Sequence, residues 1–324
     1  MDDARELLNL NPDPVPEYLI LRDLIRLESS GPELKAAGEK ISRSRWVEPI
    51  EKLQWEDGSW GRFHSMSSEL SSSLTTEQAL RRLFNLGFDR SRDSIGQALR
   101  YMKKFLKGEV RLRDRREKKH DWDLLTKLFV SAWILIFEPD NREAGDFADS
   151  WAGIISHAFS GKGRDGNPGY DDKLYNEAYR EILKPETGKY IWGFRNFYVV
   201  SILKGRLPEK TESKFLDSIL TSEKGIYYIY GRPLCSFPEN FRSKESLGFI
   251  NAYELLSGYR LFPRKTGNFR NWLEKNSEDN GFWDMGKAVK DNYVFPLSES
   301  WRREINRKID CTVKIRRILA KYCG

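Results

Sequence analysis

Apolar residues recur at helical spacing along most of this chain, and the pattern predicts helices that come in pairs. Ala98-Leu99, Met102 and Phe105-Leu106 form one stripe, with Arg100, Lys103, Lys104 and Lys107 on the other side, which predicts an amphipathic helix with one wet face. Residues 128–137, LFVSAWILIF, are apolar all round except for Ser131. A helix tolerates that only when protein covers it on every side, so this helix is expected in the interior. The same pairing is read at 41–55 followed by 75–86, and at 211–221 followed by 246–262. Pro12, Pro14 and Pro16 interrupt the start, so a first helix is expected from Pro16 or Glu17 to about Glu28, ended by Ser29-Ser30-Gly31. Residues 225–230, GIYYIY, alternate enough to resemble a strand but predict only a loop or brief extended segment.

A glycine followed by an aromatic residue stands between the paired helices. The examples are Gly58-Ser59-Trp60, Gly169-Tyr170, Gly225-Ile226-Tyr227 and Gly281-Phe282-Trp283. Successive glycines are 111, 56 and 56 residues apart; the first interval is nearly two steps, so one turn is missing near residue 114. A fixed period of this size indicates supersecondary units stacked on their neighbours. The glycine supplies the positive φ needed to leave a helix, and the aromatic can wedge between adjacent hairpins. A chain of 324 residues holds about six such units, which can close into a ring with inner helices around a cavity. The expected fold is all-α, one domain over 1–324, with residues 1–30 closing the ring.

Charge and cysteine usage narrow the classes. The mean hydropathy of −0.64 and charged content of 32% describe a globular chain with a large charged surface. The longest apolar run, ten residues, is well short of the roughly 20 a membrane span needs, so no transmembrane segment is expected. MDDARELLNLNPDPVPEY opens acidic and lacks the basic and apolar regions of a secretory signal, which makes the cytoplasm the expected location. Cys235, Cys311 and Cys323 form no CxxC and have no nearby histidine, so neither a disulfide framework nor a zinc site is suggested, and no cofactor is expected. The net charge of +7 is diffuse apart from the run RLRDRREKKH. The stretch from Arg111 to Lys119 reads as a solvated loop between helices, or as a contact for an anionic membrane surface or a protein; no specific nucleic-acid partner is expected.

Gln54, Gly58 and Trp60 match the QW motif, and on it the chain resembles squalene-hopene cyclases and related triterpene cyclases. Residues 75–87, TTEQALRRLFNLG, are similar to the inner-helix segment of those cyclases and of protein prenyltransferase β subunits. The opening from Asn11-Pro12 to Leu24 is similar to the start of small bacterial squalene cyclase-like proteins. The resemblance covers the chain as a repeat pattern and implies an (α/α)6 toroid that holds an apolar, isoprenoid small molecule.

The family's catalytic signatures are incomplete here. Class II terpene cyclases protonate an alkene with the middle acid of DxDD; the nearest string is Asp121-Trp122-Asp123-Leu124, in which Asp123 would take that place with Asp121 beside it. The plainer reading makes Asp121 an N-cap and Asp123 a first-turn acid. Asp171-Asp172-Lys173-Leu174-Tyr175 has the pair of DDxxD but a tyrosine where the third acid belongs, and reads equally as an acidic helix start. Asp310-Cys311 lacks the histidine of the prenyltransferase zinc site. In a ring the inner helices run one way, so Asp121, Asp123, Asp171, Asp172, Asp310, Glu69 and Glu239 would gather at one mouth, where crowding raises carboxyl pKa values. Trp60, Tyr170, Asp171, Asp172, Trp283 and Asp310 are the candidate substrate-binding residues. If the chain is an enzyme, a terpenoid cyclase-like isomerase or lyase is expected. A glycan-processing (α/α)6 hydrolase with paired carboxylates and a catalytically silent scaffold stand as the alternatives.

Overall fold

The structure, a computed structural model, describes residues 2–64, 74–161, 169–291 and 293–323. Its regular elements are the helices α1 (Asp2–Asn9), α2 (Pro14–Leu19), α3 (Pro32–Ile41), α4 (Glu48–Glu51), α5 (Thr76–Asn85), α6 (Asp93–Leu106), α7 (Trp122–Phe137), α8 (Arg142–Ala158), α9 (Asp172–Leu183), α10 (Phe197–Ile202), α11 (Glu209–Leu220), α12 (Lys244–Leu256), α13 (Phe262–Lys265), α14 (Gly267–Lys275) and α15 (Glu304–Leu319). Among the described residues no strand forms; extended pairing is limited to isolated bridges at His120–Tyr190, Asn196–Tyr227 and Ile226–Tyr230. The protein is therefore all-α, and the GIYYIY segment is the brief extended piece its pattern predicts. No helix among the described residues is long and apolar enough to cross a membrane.

Prolines explain where the helices differ from their predicted bounds. Pro14 and Pro16 lie in the first turn of α2, where backbone N–H groups have no intrahelical partner, so the helix starts on them rather than after them. It continues as a π-helical turn, Ile20–Ile25, and ends at Arg26 with φ +61°. The helix expected over 41–55 is instead α3 ending at Ile41, a set of turns, and the short α4. Pro49 has no N–H and can occupy only a first turn, so any helix containing it must begin just before it. Pro263 likewise begins α13 separately from α12. By contrast α5 falls within a residue of its predicted bounds, because Thr75 and Gln78 form a reciprocal capping box. Helix α7 is interior as its composition requires: Leu128 to Ile134 are all buried.

The chain divides into two compact units. One comprises Met1–Ala98, Pro238–Leu247 and Gly267–Gly324; the other comprises Leu99–Phe237 and Gly248–Thr266. In the first, α2 packs on α3 and α15, and Leu21, Leu34 and Ala37 form an apolar cluster with Tyr18 and Ile25 against it. In the second, α8 packs against α7, α9, α10 and α11, and α11 carries α13.

Within the first unit, two of the glycine-aromatic turns are the same structure 223 residues apart. Gly58 and Gly281 both have positive φ, +90° and +71°. Trp60 donates its indole N–H to the Ile50 carbonyl and its backbone N–H to Thr76 Oγ1; Trp283 does the same to the Leu273 carbonyl and Thr312 Oγ1. The indole bond spans ten residues and measures 2.7 Å in both cases. Trp55 N–H to Ser59 O and Glu278 N–H to Phe282 O close the two turns in the same register. Gln54 of the QW motif donates to the carbonyls of Gly58 and Ser94, which fastens its turn to the first residues of α6. The two turns of the second unit differ. Tyr170 is half-buried, while Tyr227 follows a glycine outside the left-handed region and is 56% exposed.

The two glycines separate conformational strain from steric exclusion. A Cβ at Gly58 would lie 2.5 Å from the Gln97 carbonyl oxygen, whereas at Gly281 the nearest atom is an Arg316 nitrogen at 3.7 Å. We expect Gly281→Ala to cost about 1–2 kcal/mol from its left-handed backbone alone. Gly58→Ala should cost distinctly more, measured as the loss of unfolding free energy in urea. Equal losses at the two sites would show that the turn at Gly58 is not packed as described.

Candidate functional site

The second unit carries an open groove of about 1210 Å³. One wall is the polar stripe of α11, in which Lys210, Ser213, Lys214, Asp217, Ser218 and Thr221 recur every three or four residues and so share a face. The opposite face of α11 buries Glu212, Phe215, Leu216 and Ile219. Leu261, Arg264 and Lys265 of the α13 region form a second wall. The groove also meets Phe159 at the end of α8, Gly169-Tyr170 ahead of α9, and Arg195.

Glu212 fixes the angle between the two walls. Its carboxylate is fully buried, accepts the Leu261 N–H at 2.8 Å and faces Arg260 at 3.5 Å, so the α13 segment is fastened to the inner side of α11. Lys214 Nζ donates to the Phe159 carbonyl at 2.7 Å and ties α11 to the end of α8. The Arg195 guanidinium lies 4.6 Å from the Phe194 ring centroid and 5.3 Å from that of Tyr170, and donates to Ser218 Oγ at 2.6 Å. Burial lowers its pKa, opposed by Tyr170 and Asp172. The Tyr170 hydroxyl is pushed well above its ordinary value, first by burial and then by its hydrogen bond to Asp172. Both groove acids are matched: Asp217 by Lys265 at 2.7 Å, and Glu209 by Arg264 at 3.7 Å. Among the described residues no carboxylate lies within ion-pair distance of Arg195, Lys210 or Lys214. The result is an aromatic floor under cationic and hydroxyl groups, an arrangement suited to an apolar body with an anionic end.

The residues singled out in the sequence separate into three places. Tyr170, Asp171 and Asp172 meet at the groove. Tyr170 lines it, Asp172 helps raise the Tyr170 hydroxyl pKa, and Asp171 caps α9 through the N–H groups of Lys173 and Leu174. Asp121 and Asp123 stand at the start of α7. Asp121 is the N-cap: Oδ1 accepts from Asp123 and Leu124, and Oδ2 accepts from Glu186 N–H at 2.9 Å. Asp123 has a side chain 75% exposed and 3.4 Å from Arg116, so it stands in solvent rather than among polarising neighbours. Trp60, Trp283 and Asp310 belong to the first unit, the tryptophans serving the two equivalent turns. Glu69 lies outside the described residues. Arg195, Lys214 and Glu212 escape sequence reading because only tertiary packing sets their roles.

Asp310 is completely buried and holds the 297–301 loop on α15. It accepts from Leu297 N–H, Ser298 N–H, Ser298 Oγ and Trp301 Nε1, at 2.5–3.2 Å. Those are hydrogen-bond donors, not the crowd of carboxylates that a shared rim would supply.

No protein-family model, curated protein or solved structure matches the chain.

Burial pushes the Asp310 carboxyl up from 3.8 to about 6, outweighing the Ser298 and Trp301 donors. Between those pH values the folded chain retains a proton that the unfolded chain has released, so stability falls as pH rises. The contribution is fully present below pH 3.8 and lost by the time pH passes about 6. In urea unfolding, the stability of the wild type relative to Asp310→Asn should be greater at pH 4 than at pH 7 by about 2 kcal/mol. A difference independent of pH would remove Asp310 as the titrating group.

Proposed function

We propose that this protein is a ring of helical hairpins of the triterpene-cyclase kind that binds an isoprenoid small molecule, with the ligand's polar end in the groove of the second unit. The observation that carries the ligand reading is the groove's make-up, with Phe159, Tyr170 and Leu261 as apolar surface beside Arg195, Lys210 and Lys214. Hydrocarbon would be removed from water against the first set, at roughly 25 cal/mol per Å² of apolar surface covered. A phosphate or carboxylate end would meet the second set through charge-assisted hydrogen bonds. The hairpin ring is supported by the two tryptophan turns, whose hydrogen bonds coincide although 223 residues separate them.

Binding rather than turnover is the activity proposed. An alkene-protonating acid must be neutral and strongly polarised, and Asp123 is exposed beside Arg116 while both Asp121 oxygens accept backbone N–H groups. Native mass spectrometry of the purified protein is expected to reveal a copurifying isoprenoid lipid. In titrations, farnesyl phosphate should bind more tightly than farnesol. The double variant Arg195→Gln/Lys214→Gln should weaken farnesyl phosphate by about tenfold or more while leaving farnesol unchanged. A protein that purifies free of lipid and binds neither compound would end this reading.

A further inference from the structure

A second surface of the same unit is independent of the groove and follows from its exposed rings. Tyr190 is 68% exposed, Tyr227 56% and Tyr228 37%, three of the seven exposed large apolar or aromatic side chains among the described residues. They are not scattered. His120 lies 6.2 Å from Tyr190 and 4.8 Å from Trp192, Trp192 lies 6.1 Å from Tyr227, and Tyr227 lies 4.0 Å from Tyr228, all as ring centroids. Five rings from three chain segments thus make one continuous track. Tyr190, Tyr227 and Tyr228 are exposed and His120 and Trp192 half-buried, and contiguous exposed rings, unlike scattered ones, point to a binding surface.

The backbone holds the track in place. Tyr190 N–H donates to the Lys119 carbonyl and Tyr227 N–H to the Arg195 carbonyl, at 2.9 Å each. Tyr228 has φ +69°, a left-handed conformation that a bulky aromatic residue rarely adopts. Such strain persists only where the surroundings enforce it, and it occurs preferentially at functional sites.

Charge decides what lies on the rings. The basic run from Arg111 to Lys119 leads directly into His120, and Lys189, next to Tyr190, donates to the Lys118 carbonyl at 3.0 Å. The acids nearby are already engaged. Glu117 bonds the His120 ring at 2.6 Å and the backbone N–H groups of Lys119 and His120, while Asp123 and Glu186 face Arg116. Among the described residues Arg115, Lys118 and Lys119 have no ion-pair partner. A neutral glycan would use the rings without needing the cations, and a phosphate surface would use the cations without needing the rings. A flexible strand of planar rings joined by phosphates uses both.

We propose that the Tyr190–His120–Trp192–Tyr227–Tyr228 track with its flanking lysines is a binding platform for single-stranded nucleic acid, without sequence preference. The test is fluorescence anisotropy of the full-length protein with a labelled 20-nucleotide oligo-dT at 50 and 200 mM salt. Binding should weaken with salt, log K falling by about 0.7 per phosphate neutralised against log salt. Tyr190→Ala and Tyr227→Ala alter exposed side chains and should each weaken binding by roughly fivefold to a hundredfold. Lys118→Gln/Lys119→Gln should reduce the salt slope, and circular dichroism melting should show all of these variants folded. The proposal is overturned if oligo-dT does not bind at 50 mM salt, if duplex DNA of the same length binds as tightly, or if the tyrosine variants bind like the wild type. It is equally overturned if a neutral oligosaccharide or an anionic phospholipid vesicle, and not oligo-dT, binds in a tyrosine-dependent manner.

Discussion

At Trp60 and Trp283 a buried indole N–H finds a main-chain acceptor, and that bond organises the two equivalent turns of the first unit. A tryptophan removes more apolar surface from water than almost any other side chain, but an unpaired donor in the interior costs about 1–3 kcal/mol. Trp60 and Trp283 meet the condition in one way: each reaches back ten residues to a carbonyl of the preceding helix and gives its backbone N–H to a threonine ahead. One residue therefore fixes the end of one helix, the turn, and the next helix of the hairpin. The positive-φ glycine two positions earlier allows the chain to turn sharply enough for the ring to enter.

In the second unit the corresponding work is divided among charges. Glu212, completely buried, fastens α13 to α11, and Lys214 fastens α11 to the end of α8. Arg195 is held between two rings and a serine instead of against a carboxylate. The groove is the space these fastenings leave. Its cations are structural and still open to a ligand, because a carbonyl or hydroxyl acceptor neutralises no charge.

The parts of this architecture legible in the sequence are those fixed by local rules. Residues 128–137 can only be interior, and the helix begun by Thr75 is bounded by its own cap, so both were readable to within a residue or two. The stretch 41–55 misled because its apolar spacing is helical while Pro49 restricts where a helix can start. Gly169 and Gly225 fit the period, yet only Gly58 and Gly281 are the same turn; spacing identifies a repeat unit, not the conformation at its joint. Asp121 is legible as a cap, and Asp171 as part of an acidic helix start. Tyr170 is legible as the aromatic of a glycine-aromatic pair, but its partnership with Arg195 spans 25 positions and has no local signature.

The same contrast accounts for the distribution of charge. Many of the acids serve the backbone. Asp13, Glu117, Asp121, Asp171, Glu212, Asp291 and Asp310 all accept main-chain N–H groups at caps, turns and loops. A basic side chain cannot replace them there, since lysine and arginine have donors only. An acid engaged by main-chain N–H groups has fewer oxygens left for surface cations. Arg115, Lys118 and Lys119 stand at one end of the ring track, and Arg195, Lys210 and Lys214 stand in the groove, because the carboxylates beside both places are occupied by the fold itself. Two groups of cations without carboxylate partners in one unit thus follow from how a helical chain with many loops satisfies its unpaired N–H groups.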